Sequence, residues 1–177
     1  LGADRFLQLK TCNSPKLKGR ILVDSPGFDA DAQRDATLRI TDRIMDLSDL
    51  VLVFFDARHP ETGSMRDTLK HLVQQTVQRA DANKFMYILN QVDVTAREDN
   101  AEEVFAAWQR SLAQHGLIAG RYFSIYNPEV APPFEDEVLG ERYERKCRHD
   151  LAKIFERIEQ VKIDRVYRVV GLLEQST

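Results

Sequence analysis

The sequence predicts an α/β fold with a mostly parallel sheet, helices on both faces, and further helices after the sheet. Short runs of apolar, often β-branched residues alternate with longer segments in which apolar residues recur every three or four positions. This alternation is typical of βαβ units. The chain shows no internal repeat, and its 177 residues are enough for one globular domain with a buried core.

Four apolar runs predict the strands. They cover residues 21–23, 50–55, 85–89 and 122–126. The second run is apolar at every position, so we expect a central strand that is buried on both faces.

Segments with helical spacing lie between and after these runs. Helices are predicted at about 33–47, on the apolar stripe 65–77, and on the stripe 104–112, which His115 and Gly116 close. After a proline-containing loop, stripes at 151–158 and 166–173 belong to one long helix or to two consecutive ones. We therefore expect residues 1–134 to contain the sheet and residues 135–177 to form a helical segment, which either packs on the edge of the sheet or begins a stalk.

Charge and cysteine content exclude several classes of protein. Lys+Arg 25 against Asp+Glu 28 leaves a net charge of −3, so we expect no nucleic-acid partner. Cys12 and Cys147 are too few and too far apart for a disulfide scaffold or a metal knuckle, which favours a reducing, cytoplasmic location. The longest apolar run is far shorter than the ~20 residues that cross a bilayer.

Polar side chains follow each predicted strand. They are Asp24, Asp56, Asn90 with Asp93, and Asn127. Because the carboxyl ends of parallel strands share one edge of a sheet, we expect these side chains to converge there, where ligands bind in open α/β folds.

Two of these positions form motifs suited to a nucleotide. Asp24 and Gly27 have the form Asp-x-x-Gly, in which the acid holds Mg²⁺ through water and the glycine N–H approaches a terminal phosphate. Asn90 and Asp93 have the form Asn-x-x-Asp, in which the carboxylate accepts two hydrogen bonds from a guanine edge. An ordinary turn and a helix cap are the alternatives, but both motifs occurring in order after apolar runs favours a nucleotide site.

At this point the chain resembles the GTPase domain of the dynamin superfamily. Residues 21–28, Ile-Leu-Val-Asp-Ser-Pro-Gly-Phe, are similar to that superfamily's Asp-Thr-Pro-Gly switch segment. Residues 48–57 and 13–17 are similar to a strand and a preceding loop of its EH-domain ATPase branch. The resemblance implies a P-loop NTPase-like, three-layer αβα fold.

The resemblance also implies roles for individual residues. Asp24 would bind Mg²⁺ through water, Gly27 would contact the γ-phosphate, and Asn90 and Asp93 would read the base. Asn127 lies near the last base-contacting loop of the family. Gln91 stands where the family usually has a Lys that packs on the base, so adenine nucleotides remain an alternative to guanine.

One family feature is missing from these residues. No Gly is followed by Lys, so the phosphate-binding loop Gly-x-x-x-x-Gly-Lys-Ser/Thr is absent. We therefore expect an incomplete sheet without its first strand, and a fragment that holds no catalytic residue and is itself inactive.

The resemblance implies a parent protein that hydrolyses GTP to GDP with Mg²⁺, coupled to self-assembly. Two domains would dimerise or oligomerise across the nucleotide face, and the parent would contact and remodel a membrane as a peripheral protein. The alternatives are an EH-domain-like ATPase and a pseudo-GTPase scaffold without turnover. A receiver domain phosphorylated on Asp56 is disfavoured, because the lysine and acidic pair of that chemistry are not in place.

Overall fold

The computed structural model describes residues 9–25, 34–58, 82–97, 101–114, 116 and 122–175. Their helices and strands are, in chain order, α1 (Arg34–Leu47), β1 (Val51–Asp56), β2 (Phe85–Asn90), α2 (Val92–Arg97), α3 (Ala101–Gln114), β3 (Tyr122–Ile125) and α4 (Glu137–Gln175). Short 3-10 turns cover Pro15–Leu17 and Ala82–Lys84.

The three strands form one parallel sheet in the order β1-β2-β3. The central strand, β2, is buried from Phe85 to Leu89, as its unbroken apolar run predicts. Asp56 is the register partner of Asn90, and Asn90 is in turn the partner of Ile125. The predicted α/β class and parallel pairing are confirmed.

One face of the sheet packs against α3. Trp108 and Leu112 are one helical turn apart, so they face the same way and are both buried. The Trp108 ring meets Phe55 and Tyr122 edge to face, with ring centres 5.4 and 5.6 Å apart. Met45 of α1 joins the same cluster, so two helices contribute to this layer.

The long helix α4 packs along the outer edge of β3. Its Cys147 belongs to the core on the Trp108 face, whereas Ile154 packs with Met86 and Ile88 in a second cluster. Residues of β2 that alternate along the strand point to opposite faces, so α4 contributes to both. Helices therefore pack on both faces of the described sheet, although Phe54 of β1 is left exposed on the second face.

Two strand predictions are wrong for the described residues. Residues 21–23 form no strand, and Ile21, Leu22 and Val23 are 87%, 65% and 51% exposed. A three-residue apolar run becomes a strand only through a hydrogen-bonded neighbour, and no described strand lies beside it. The run 50–55 does form β1, but β1 ends the described sheet instead of lying at its centre, and Phe54 is 55% exposed.

The helix predictions agree more closely with the structure. The observed α1 and α3 match the predicted helices, and Gly116 follows α3 with a φ of 92°, its N–H donating to the Ala113 carbonyl. The stripes 151–158 and 166–173 lie in one helix, α4. The stripe 65–77 lies outside the described residues. Among the helices that the structure describes, none is both long and apolar enough to cross a membrane.

Candidate functional site

Two strands deliver polar groups side by side to one edge of the sheet. Asp56 ends β1 directly opposite Asn90, which ends β2. The Ala57 N–H donates to the Asn90 carbonyl at 2.9 Å, so the strands stay paired to their last residues. The predicted convergence at the carboxyl edge is confirmed for this pair.

The segment after β2 places a carboxylate beside that edge. Gln91 has a φ of 63°, a left-handed conformation that turns the chain directly into α2. Asp93 then lies in the first turn of α2 and is buried, with a side chain 12% exposed. The Arg97 guanidinium lies 3.9 Å from the Asp93 carboxylate, an ion pair longer than a hydrogen bond. A buried carboxylate in this position is suited to accept N–H groups from a ligand.

Asn127 lies two residues beyond β3 and organises a turn. Its Oδ1 accepts the N–H of Glu129 at 3.0 Å, and its backbone carbonyl accepts the N–H of Ala131 at 3.0 Å. The side chain is exposed. What the contacts support is an Asx turn that opens the loop to α4, and the base-contact role of Asn127 stays a prediction.

The phosphate end of the predicted site is only partly described. Asp24 is exposed near the end of the described segment 9–25, and Gly27 lies outside the described residues. The described part of the chain contains no group of three or more His, Cys, Asp or Glu that could hold a metal ion. Mg²⁺ in nucleotide sites often takes one or two carboxylates and completes its shell with phosphates and water. One accessible carboxylate, Asp24, fits that requirement.

Asp56 is engaged by a neighbouring cation. The Arg58 Nε lies 3.0 Å from one carboxylate oxygen, a second guanidinium nitrogen lies 2.6 Å from the other, and the Arg58 N–H also donates. The pKa of Arg58 is raised, chiefly by this hydrogen bonding and then by the charge of Asp56. Because both oxygens are occupied, the arrangement does not favour Asp56 as a phospho-acceptor.

Sequence reasoning missed Arg97. Besides facing Asp93, its guanidinium donates to the carbonyl of Pro132 and lies 5.3 Å from the Phe134 ring centre. The spacing of four between Asp93 and Arg97 was visible in the sequence as a helical ion pair. The contact with the loop after β3 was not, because 35 residues separate Arg97 from Pro132.

Comparison with known proteins gives a match to a family model. A family model described as the Dynamin family matches residues 4–92, half of the chain. The matched range includes Asp24, Gly27, Asn90 and Gln91 and ends one residue before Asp93. No curated protein and no solved structure matches the chain.

Proposed function

The chain belongs to the dynamin family, and from this premise we propose that it forms the base-reading part of a large GTPase. The observation that carries the proposal is the register of the parallel sheet. It brings Asn90 to the carboxyl edge beside Asp56, with the buried Asp93 following in the first turn of α2. In the proposal the parent hydrolyses GTP to GDP, self-assembles across the nucleotide face, and remodels a membrane.

The base would bind at Asp93. Its carboxylate accepts two N–H groups from guanine, while Asn90 braces the loop at the strand end. Adenine presents no such pair of donors on one edge, so this chemistry favours guanine. Gln91 would flank the base through a shorter side chain than the family's usual Lys.

The phosphates would lie toward Asp24 and Gly27. Asp24 would hold Mg²⁺ through water, and the Gly27 N–H would contact the γ-phosphate. When bound, Mg²⁺ neutralises charge that develops on the phosphates during transfer.

The outer edge of β1 in the described sheet supports a further strand. The 21–23 segment and Phe54 of β1 leave apolar surface exposed. In the proposal a further strand pairs with the outer edge of β1, and the helix that follows it covers Phe54. That unit carries the phosphate-binding loop, so the 177-residue chain alone turns over no GTP.

Calorimetric titration tests the proposal directly. GTP, GDP and ATP are titrated with Mg²⁺ into this chain and into the same chain extended upstream in its reading frame by ~70 residues, about the length of a phosphate-binding unit. We expect GTP and GDP to bind only the extended form. Preference for ATP would overturn the guanine assignment in favour of an EH-domain-like ATPase. If neither form binds a nucleotide, the proposal fails and the scaffold alternative is favoured.

Substitution of Asp93 separates base reading from phosphate binding. In the extended chain, Asp93→Asn should weaken GTP binding at least ~100-fold, because it removes charge-assisted hydrogen bonds worth about 1.5–3 kcal/mol each. Binding of inorganic triphosphate should be unchanged. Xanthosine triphosphate should gain affinity, because the new amide N–H can donate to the carbonyl at position 2 of xanthine.

The matched control is Glu103→Gln, which makes the same change of charge at an exposed position on α3. It should leave both ligands unaffected. Equal losses of GTP and triphosphate in Asp93→Asn would place Asp93 in a structural role instead.

A further inference from the structure

Arg97 joins three parts of the molecule at the base-reading edge. Its guanidinium lies 3.9 Å from Asp93 on its own helix, donates to the Pro132 carbonyl in the loop after β3, and stacks 5.3 Å from the Phe134 ring centre. The Arg97 side chain is only 27% exposed. A planar guanidinium can make all three contacts at once, whereas a lysine ammonium cannot.

Phe134 extends this contact to the long helix. Its ring stacks on Tyr143 of α4 with the planes 1° apart and the centres separated by 5.9 Å. On another side it meets Tyr126, at the end of β3, edge to face at 6.2 Å. Movement of Phe134 therefore bears directly on the first turns of α4.

The contact between α3 and the first turns of α4 is incomplete at this level. A cavity of about 160 Å³ lies between α3 and α4, lined in part by Val92, Phe105, Ser124 and Tyr143. Arg142 and Glu102 form an ion pair at its rim, with side chains 70% and 73% exposed. Exposed ion pairs contribute little to stability. The stack of Phe134 on Tyr143 is therefore the stronger contact of the start of α4 in this region.

We propose that Arg97 is a positioning residue that couples Asp93 to the loop 127–136 and to the start of α4. Asp93 and the Pro132 carbonyl share one guanidinium. A ligand that donates N–H groups to Asp93 weakens the ion pair between Asp93 and Arg97. The guanidinium then binds the loop more firmly. Binding of a base at Asp93 thereby stabilises the start of α4 through the contacts of Phe134 with Arg97 and Tyr143. The role of the base in this coupling rests on the proposed function; the coupling between Asp93 and the loop does not.

Amide hydrogen exchange of the 177-residue chain tests the coupling without any nucleotide. Arg97→Ala should raise exchange in residues 129–140 by about tenfold, with β2 amides unchanged. Arg97→Lys should give an intermediate increase, because it keeps the charge and loses the planar fork. Arg148→Ala is the matched control, since Arg148 also pairs four residues back, with Glu144 on α4, and makes no loop contact among those described.

A double-mutant cycle distinguishes coupling from simple support of the loop. Asp93→Asn should slow exchange in residues 129–140 when Arg97 is present and should have no effect in the Arg97→Ala background. An equal effect in both backgrounds, or none in either, would overturn the proposal. Should Arg97→Ala raise exchange in β2 as well, the cycle is repeated with Phe134→Leu. That variant removes the ring contact and keeps the bond from Arg97 to Pro132, so it should reduce the effect of Asp93→Asn without abolishing it.

GTP binding and hydrogen exchange in the extended chain test the role of the base. Arg97→Ala should strengthen GTP binding by up to about tenfold relative to inorganic triphosphate, because the guanidinium no longer competes with the base for Asp93, and GTP should slow exchange at 129–140 only when Arg97 is present. GTP binding without that slowing would overturn the role of the base in the coupling. Absence of GTP binding by the extended wild-type chain would instead remove the proposed function, and the exchange cycle would still decide the coupling.

Discussion

At the scale of single residues, the Asp150 side chain joins α4 to β3 by hydrogen bonds. One of its carboxylate oxygens accepts the Ser124 N–H at 2.8 Å, lies 3.3 Å from the Ser124 hydroxyl, and accepts from Lys146 at 2.8 Å. Asp150 is 6% exposed. Among the described residues no strand lies on this edge of β3, and a side chain takes the place of such a neighbour.

We expect Asp150→Ala to lower the free energy of unfolding by about 2–4 kcal/mol, because the buried Ser124 N–H loses a charged acceptor. Asp150→Asn keeps an oxygen of the same shape and should cost about half as much. Urea unfolding followed by circular dichroism measures both. Equal, small losses would mean that water replaces the carboxylate and that the edge is not sealed by Asp150.

At the scale of elements, β1 differs between its two edges. The Ala57 N–H points to β2, so by alternation the Val53 N–H also points to β2 and the Phe54 N–H points away. Proline is tolerated in a strand only where the missing N–H faces outward.

We therefore expect Phe54→Pro to change the free energy of unfolding of this chain by less than about 1 kcal/mol. Val53→Pro should cost about 3 kcal/mol or more, because it removes a bond of the ladder. Thermal and urea unfolding of the two variants give the comparison. In the chain extended upstream, Phe54→Pro should become as damaging as Val53→Pro, because the proposed extra strand then pairs with that edge. Unchanged tolerance there would argue against the strand.

At the scale of the whole molecule, a buried thiol ties α4 to the end of β3. The Cys147 thiol donates to the Tyr126 carbonyl at 3.3 Å. Burial raises the pKa of Cys147 above its ordinary 9.0, helped by the charges of Asp150 and Glu144. Burial is also the main reason that the pKa of Tyr126 lies above its ordinary 10.0.

Both groups make the folded state sensitive to alkali. The folded protein holds these protons above the pH at which the unfolded chain releases them. The stabilisation is therefore complete below about pH 9 and declines as pH rises toward the higher folded pKa values. Urea unfolding from pH 7 to 10.5 should show this decline. Cys147→Ala should reduce the slope, whereas Cys12→Ser, at an exposed position, should not; identical slopes in all three would contradict the assignment.

Much of the fold followed from local patterns. The apolar run 85–89 predicted a buried strand, and the spacing of Trp108 and Leu112 predicted the inner face of α3, because periodicity alone selects which residues leave water. The position of β1 in the sheet did not follow. An all-apolar run signals burial on both faces but does not say whether another strand covers its edge.

The candidate site divides in the same way. Asn90 and Asp93 were predicted from motif and strand end, and their placement at the carboxyl edge agrees with that prediction. Arg97 was not, because its partners Pro132 and Phe134 come from a loop that is remote in sequence.

By itself, the sequence determined the α/β class, the parallel pairing and the order of polar groups at the strand ends, since these depend on short-range periodicity and on the geometry that all parallel sheets share. Only the tertiary structure decided that α4 covers the β3 edge through Asp150, that β1 lies at the edge of the described sheet, and that Arg97 holds the loop beside Asp93. Each of these depends on contacts between residues distant in the chain, and their energies come from burial and hydrogen bonding that no local pattern encodes.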